Sequence, residues 1–362
     1  MINISKQNFQ KMYPTVKTSL ENAQVIAIDA EFSGLESDDS SNLFDTIEER
    51  YEKLRKTSEN FIIIQFGITC IEQVPSQNKY NTKMFKFFLF PASIPIKNRQ
   101  FLCQVAAIEF LALNGFNFNK MAYNGISYLN EVEEFTLKQY LEDDNMIRNI
   151  NNISYKEEDE IKRAIDSVTK WFEFSDDSDE DPEYIILKMS VQSVNLQYLL
   201  QKILRSRFSR IWTTCNNEEV CLYNFYNNDS SRKCNLLIFI KKYIFVNLFF
   251  FFSILLVELK KPIVGHNILL DLIYMFKLFY KPLPKRYSEF KVEMHRLFPI
   301  IYDTKYLSYQ LRDEISLFSR GNYFYYLLQD YIVPHDSGWD SYFTGYIFIL
   351  MGHIIAIKKY GK

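Results

Sequence analysis

The stretch Val25-Ile26-Ala27-Ile28-Asp29-Ala30-Glu31-Phe32 constrains this chain more than any other. Its apolar run reads as a buried strand, and Gly34 just beyond gives the chain a place to turn. In an extended strand, residues i and i+2 point to the same face. Asp29 and Glu31 therefore stand side by side. Two ionised carboxylates so placed repel each other unless something positive lies between them. A divalent cation, Mg²⁺ above all, satisfies the pair. An edge strand with both acids solvated is the alternative.

The rest of the chain limits what can surround that strand. Its 362 residues, 48% of them hydrophobic, supply a core for one large domain or two ordinary ones. A net charge of −2 makes no global basic field, so any nucleic-acid contact has to rest on a local patch. The five cysteines (Cys70, Cys103, Cys215, Cys221 and Cys234) contain no CxxC pair. That argues against a disulfide framework or a zinc site and fits a reducing compartment. The polar N-terminus lacks a signal peptide's apolar centre. The expected location is intracellular and cytoplasmic, with the nucleus or an organelle membrane surface as alternatives.

Aromatic and β-branched bias predicts strands over 24–33, 61–71 and 83–90, the last stopped by Pro91. Helical stretches are expected over 45–56, 105–114 and 160–172, and the acidic, proline-containing run 176–182 reads as a linker or loop. A small unit follows over 193–223. Its helix-like part, 196–208, carries Lys202, Arg205 and Arg207, with Arg210 and Trp212 close behind. Such residues suit phosphates and stacked bases, and a solvated helix face is the alternative. The uncharged, phenylalanine-rich tract 243–257 is shorter than the ~20 residues that span a bilayer. A buried helix is the first reading. A transmembrane segment and a stretch foreign to the native coding sequence are the others.

Three later segments bear on the opening acids. Residues 261–267 read as a short buried strand ending in a turn, and 268–280 as a helix with Asp271 in its first turn. Such an acid is favoured by the helix dipole and points toward the strand end, where sites in α/β sheets lie; a plain helix-start acid is the alternative. Residues 300–305 form another apolar strand ending in Asp303 and Lys305. In His335-Asp336-Ser337-Gly338-Trp339-Asp340, Asp336 or Ser337 can cap a helix, with His335 before it and Asp340 in its first turns. His266 is expected to hydrogen-bond locally.

An acid-x-acid strand, a Gly-His-Asn-x-x-x-Asp strand–helix and a late His-x-x-x-x-Asp helix, in that order, resemble the DEDDh 3′–5′ exonucleases of the ribonuclease H-like superfamily. Local words are similar to the poly(A)-specific ribonuclease (PARN) branch: Asp29 to Leu35, Gln65-Phe66-Gly67, Asn114 to Lys120, Asn124 to Asn130, Gly265 to Asp271, and Asp303-Thr304-Lys305. Residues 168–171 and 211–213 resemble its PARN-like domain-containing, piRNA-trimmer subgroup. The resemblance implies an α/β fold: a ribonuclease H-like mixed sheet flanked by helices, with a small α/β RNA-binding-like insertion. The nuclease domain would occupy 1–175 and 257–362 and the insertion 184–230, with 231–256 of doubtful status. No histidine stands in 193–223 where the family's insertion has its Arg-x-x-x-His signature.

By the same resemblance, Asp29, Glu31, Asp271 and Asp340 would hold two Mg²⁺ ions, with Mn²⁺ an alternative. His335 would be the general base, a role that suits a side chain titrating near neutrality. Phe32 and Leu35 would pack on terminal bases. Ile108 would join them or else pack in the core, and Lys305 would meet a phosphate or else form a buried salt bridge. The implied activity is hydrolysis of a single-stranded RNA 3′ end to 5′-nucleoside monophosphates, by poly(A) tail removal or by trimming of piRNA precursors. A catalytically impaired RNA-binding homologue or a gene-model variant is the alternative. A homodimer is expected, and the subgroup's usual C-terminal membrane anchor would lie past Lys362.

Overall fold

The computed structural model describes residues 1–35, 42, 44–91, 99–142, 155–174, 184–188, 194–208, 211–216, 219–224, 248–312 and 335–361. The acidic run 176–182 and most of the segment 231–256 lie outside them. The chain divides into two compact units, one of residues 1–134 with 245–362 and one of residues 135–244.

The larger unit is built on a six-stranded sheet. Its strands are β1 (Ile2–Ile4), β2 (Val25–Phe32), β3 (Ile63–Gln73), β4 (Tyr80–Phe88), and, from the smaller unit's far side in sequence, two strands numbered after those of that unit. The smaller unit has β5 (Tyr184–Lys188), β6 (Ile211–Asn216) and β7 (Glu219–Asn224), paired antiparallel in the order β5-β7-β6. The large sheet is completed by β8 (Ile263–Gly265) and β9 (Ile301–Asp303), in the order β1-β4-β3-β2-β8-β9. Strand β3 runs antiparallel to both β4 and β2, while β1 joins β4, β8 joins β2 and β9 joins β8 in parallel. This is the mixed sheet of the ribonuclease H-like class.

In chain order the described helices are α1 (Phe9–Asn22), α2 (Ile47–Asn60), α3 (Val105–Leu113), α4 (Phe118–Asn124), α5 (Glu131–Glu142), α6 (Tyr155–Phe174), α7 (Val194–Arg207), α8 (Leu248–Leu259), α9 (Leu269–Met275), α10 (Tyr287–Leu297), α11 (Thr304–Gln310) and α12 (Ser337–Tyr360), of which α6 and α7 belong to the smaller unit. Thr46 and Glu49 start α2 with a reciprocal capping box, satisfying two backbone donors at its open end.

Along β2 the alternation is strict. Ile26, Ile28, Ala30 and Phe32 enter the main core with Phe66, Phe85, Phe87 and Phe276. The described part of the phenylalanine-rich tract, from residue 248 on, is a helix with buried phenylalanines, as first read. In α8, Phe249 and Phe252 have no exposed surface, and Phe249 meets the rings of Phe66, Phe87 and Phe279. Burying two such side chains contributes several kcal/mol, about 1.5–3 each.

The opposite face of β2 and β3 is cut to receive α12. A Cβ on Gly67 would lie 1.8 Å from the Ser337 carbonyl oxygen, so only glycine lets the helix start touch the strand. About two turns further along α12, a Cβ on Gly345 would approach Ile71 and Ala27 to 2.6 and 3.1 Å. Among the described residues, α12 is the one helix long and apolar enough to cross a membrane by length and composition. Its first turns are nevertheless part of the fold, with Ser337, Gly338, Ser341, Thr344 and Gly345 buried.

In the smaller unit, α6, α7 and β7 share a core of Ile161, Val168, Leu200, Leu204, Val220 and Leu222. The unit thus takes in α6, upstream of the 184–230 segment marked by sequence. The side chains of Lys202, Arg205 and Arg210 lie outside the described set, and Arg207 is exposed.

Candidate active site

Three carboxylates converge on the α12 face of the sheet. Oxygen atoms of Asp29 and Glu31 on β2 and of Asp340 on α12 all lie within 4.8 Å of one another. Asp271, in the first turn of α9, is buried beside them, its carboxylate accepting the backbone N–H of Ala30. The four acids named by the sequence therefore come together from one strand and two helix starts.

Their ionisation is opposed by their surroundings. Burial first, then the charges of Asp271, Asp340, Glu31 and Asp336, push Asp29 well above the carboxylate range. Glu31 is pushed up to about 8, by burial and then by Asp340, Asp336 and Asp271, with Lys86 pulling the other way. Burial also raises Asp271, against the hydrogen bonds it accepts, with Asp303 adding to the rise. Asp340 rises to about 6 through burial and Asp336, held back by the backbone N–H groups of Asp336 and His335. Acids that resist ionising together form a site that a cation completes. Their hard oxygen donors fit Mg²⁺ or Mn²⁺ rather than a thiolate-seeking metal.

The start of α12 is held in place by its capping acid Asp336, as the sequence predicts, and by residues of β3 and β4 whose partners the sequence does not reveal. Asp336 Oδ1 accepts the N–H groups of Gly338 and Trp339 at 3.1 and 3.4 Å, while its other oxygen pairs with the Lys86 ammonium on β4. Gln65 Oε1 accepts both the N–H and the hydroxyl of Ser337, at 3.0 and 2.9 Å. Thr69 and Ser341 share a hydrogen bond of 2.9 Å. Gln65, Gly67 and Thr69 alternate along β3, so one strand face fixes both the height and the rotation of the helix bearing Asp340. The signal for Lys86 was present: a lone lysine inside Met84-Phe85-Lys86-Phe87-Phe88 has to find an acid once the strand is buried.

His335 sits one residue outside this cap, with φ of +63°. Its exposed imidazole packs edge-on against Phe110 of α3, ring centres 4.3 Å apart. The remaining sequence-named residues separate. Leu35 is 47% exposed and Ile108 is half-buried on α3. Phe32 is seated in the core with its ring 4.7 Å from that of Tyr274, leaving 8% of its surface exposed. This follows from strand alternation, which sends Phe32 to the face opposite Glu31. Lys305 is exposed, its Nζ 3.4 Å from Asn267 Oδ1, so the buried salt-bridge reading is not realised. His266 hydrogen-bonds locally, Nδ1 to the Thr304 hydroxyl at 3.0 Å.

Comparison with known proteins decides what this arrangement belongs to. The profile described as CAF1 family ribonuclease matches residues 4–348. The chain belongs to the CAF1 ribonuclease family. It is 29% identical over 398 residues to the pre-piRNA 3′-exonuclease trimmer of Bombyx mori, a match covering 100% of this chain and 73% of that protein. It is 27% identical to the poly(A)-specific ribonuclease PNLDC1 of Mus musculus, again over 100% of this chain and 73% of the other. Against the poly(A)-specific ribonuclease PARN of Homo sapiens identity is 28%, covering 98% of this chain and 62% of that protein. A similar solved structure is that of S. pombe Pop2p in its Mg²⁺- and Mn²⁺-bound form, at a TM-score of 0.47 and 14% identity, covering 99% of this chain and 92% of that one.

Proposed function

We propose that this CAF1-family ribonuclease removes nucleotides one at a time from the 3′ end of single-stranded RNA, releasing 5′-nucleoside monophosphates. The observation that carries the proposal is the convergence of Asp29, Glu31 and Asp340 within 4.8 Å, beside buried Asp271. Two Mg²⁺ or Mn²⁺ ions held by these four acids would activate the attacking water and neutralise charge on the phosphate and the leaving oxygen. The chain's own groups do the rest. Asp336, Gln65 and Gly67 fix Asp340 by seating α12 on the sheet. His335, next to that cap, accepts a proton from the attacking water as general base. Lys305, exposed on α11, pairs with a backbone phosphate. Leu35 and Phe110 offer apolar surface to the terminal base.

The named relatives supply two substrate classes, small-RNA precursors and poly(A) tails, and both present a free 3′ hydroxyl. The test is digestion of 5′-labelled RNA ending in a 3′ hydroxyl or a 3′ phosphate, with chromatography of the products. Nucleoside monophosphates released from the 3′ hydroxyl form are expected. Internal cleavage of both forms would contradict the assignment. Oligo(A) and mixed-sequence RNA of equal length, run side by side, then choose the substrate class.

A further inference from the structure

A groove of about 560 Å³ opens beside the acid cluster, lined by Asn267, Asp303, Lys305, Tyr306, Ser308 and Tyr309. Its volume falls in the range of small-ligand clefts, about 300–1,000 Å³. Tyr306 and Tyr309, three residues apart on α11, share one face of the helix and are 63% and 64% exposed. The Arg312 guanidinium stands 5.4 Å from the Tyr309 ring centre. The groove thus joins two aromatic rings to the exposed ammonium of Lys305.

Asp303 forms part of the wall, and its charge would repel a phosphate if left uncompensated. Its carboxylate instead accepts the N–H groups of Asn267, Ile268, Lys305 and Tyr306, at 3.0, 3.2, 2.9 and 3.4 Å. Four donors spread that charge into the backbone. The left-handed conformation of Asn267, φ +55°, turns its N–H toward this carboxylate. Asp303 pairs in register with Gly265 at the end of β8, and its carboxylate holds the backbone of Asn267 and Ile268 just before the helix that carries Asp271, so groove and acid cluster are neighbours.

We infer that the groove is a nucleotide subsite: Tyr306 and Tyr309 stack on the base, and Lys305 takes the adjoining phosphate. The inference rests on the ribonuclease reading above. The 3′-terminal nucleotide has to reach the acids, so a base-sized groove beside them serves the strand that leads there. Aromatic stacking is tolerant of sequence, because every base has a π face. The subsite would therefore support trimming of mixed RNA as readily as of oligo(A).

The test places 2-aminopurine at successive positions of a 12-nucleotide RNA bound to the otherwise intact Asp29→Asn protein. Stacking on tyrosine should quench the fluorophore at a position 5′ of the terminal nucleotide, and Tyr306→Ala with Tyr309→Ala should restore the signal. In the catalytically competent protein the same pair should raise KM about 5- to 100-fold, the range for a lost base–aromatic stack, with the effect in KM rather than kcat. Tyr→Phe at both positions should keep the wild-type KM, since the ring is retained. Quenching confined to the terminal position, or an unchanged KM in the alanine pair, would overturn the subsite. If wild-type protein itself leaves RNA intact, the ribonuclease reading fails instead, so the two failures are distinguishable.

Discussion

The two faces of β2 are one residue apart in sequence and opposite in purpose. Ile26, Ile28, Ala30 and Phe32 enter an aromatic core with Phe66, Phe87 and Phe249. Ala27, Asp29 and Glu31 face α12, where small and polar groups replace bulk and several acids crowd together. The first face supplies stability. The second spends it, since each acid there is driven toward its protonated form by burial and by its neighbours. A strained charged site is tolerable because the same strand is anchored from behind.

The largest effects should come from breaking the acid face. Asp340→Asn is expected to lower kcat by about 10⁴-fold or more, as when one member of a catalytic unit is removed. The metal-free protein should keep its melting temperature, because a buried repulsion disappears with the charge. His335→Ala should cost about 10²- to 10⁴-fold in kcat, the usual share of a general base, with metal affinity retained in calorimetry.

Gly67→Ala attacks the contact between the faces rather than either one. The added methyl meets the Ser337 backbone, so α12 has to shift and carry Asp340 with it. A displacement near 1 Å costs roughly 10²-fold in rate. Single-turnover kinetics on folded protein would show it, and an unchanged rate would mean that α12 does not position the acid. On the core face, Phe249→Ala should cost about 3–5 kcal/mol in chemical denaturation while leaving kcat per folded molecule near wild type. Lys86→Met leaves Asp336 uncompensated among the other acids, a change expected to cost about 3–5 kcal/mol.

These contrasts also mark what was legible in the sequence. The acids were legible because strand alternation puts i and i+2 on one face, and because His335 and Asp340 straddle a helix start with its own capping acid. The core was legible from runs such as Phe61 to Ile71. The seating of α12 was not, because it depends on β3 meeting a helix 272 residues away through Gln65 and Ser337. Gly67 read as a word of a motif, not as the space for a backbone. Phe32 was placed beside the terminal base because it follows the candidate acids Asp29 and Glu31 in sequence, whereas alternation sends it to the core. The edge strand β1, only three residues long, carries too short a pattern to announce itself.

A smaller effect concerns pH. Glu31 and Asp340 have folded-state pKa values raised to about 8 and about 6, above their ordinary carboxylate values. The native state then binds more protons than the unfolded state between about pH 4 and 8, so stability falls as pH rises through that window. In EDTA the melting temperature should drop from pH 5 to pH 8.5. Mg²⁺ or Mn²⁺ should restore it most at the alkaline end, where bound protons no longer compete with the ion. A melting temperature that is flat with pH would show that the acids do not share a buried site.

The central claim is that the α12 face of the sheet is a metal-dependent site for cutting RNA. It is tested most directly by incubating 5′-labelled RNA with wild type and Asp29→Ala, in Mg²⁺ and in EDTA. The account predicts a ladder shortened stepwise from the 3′ end by wild type in Mg²⁺ alone. Equal digestion by Asp29→Ala, or by wild type in EDTA, would contradict it.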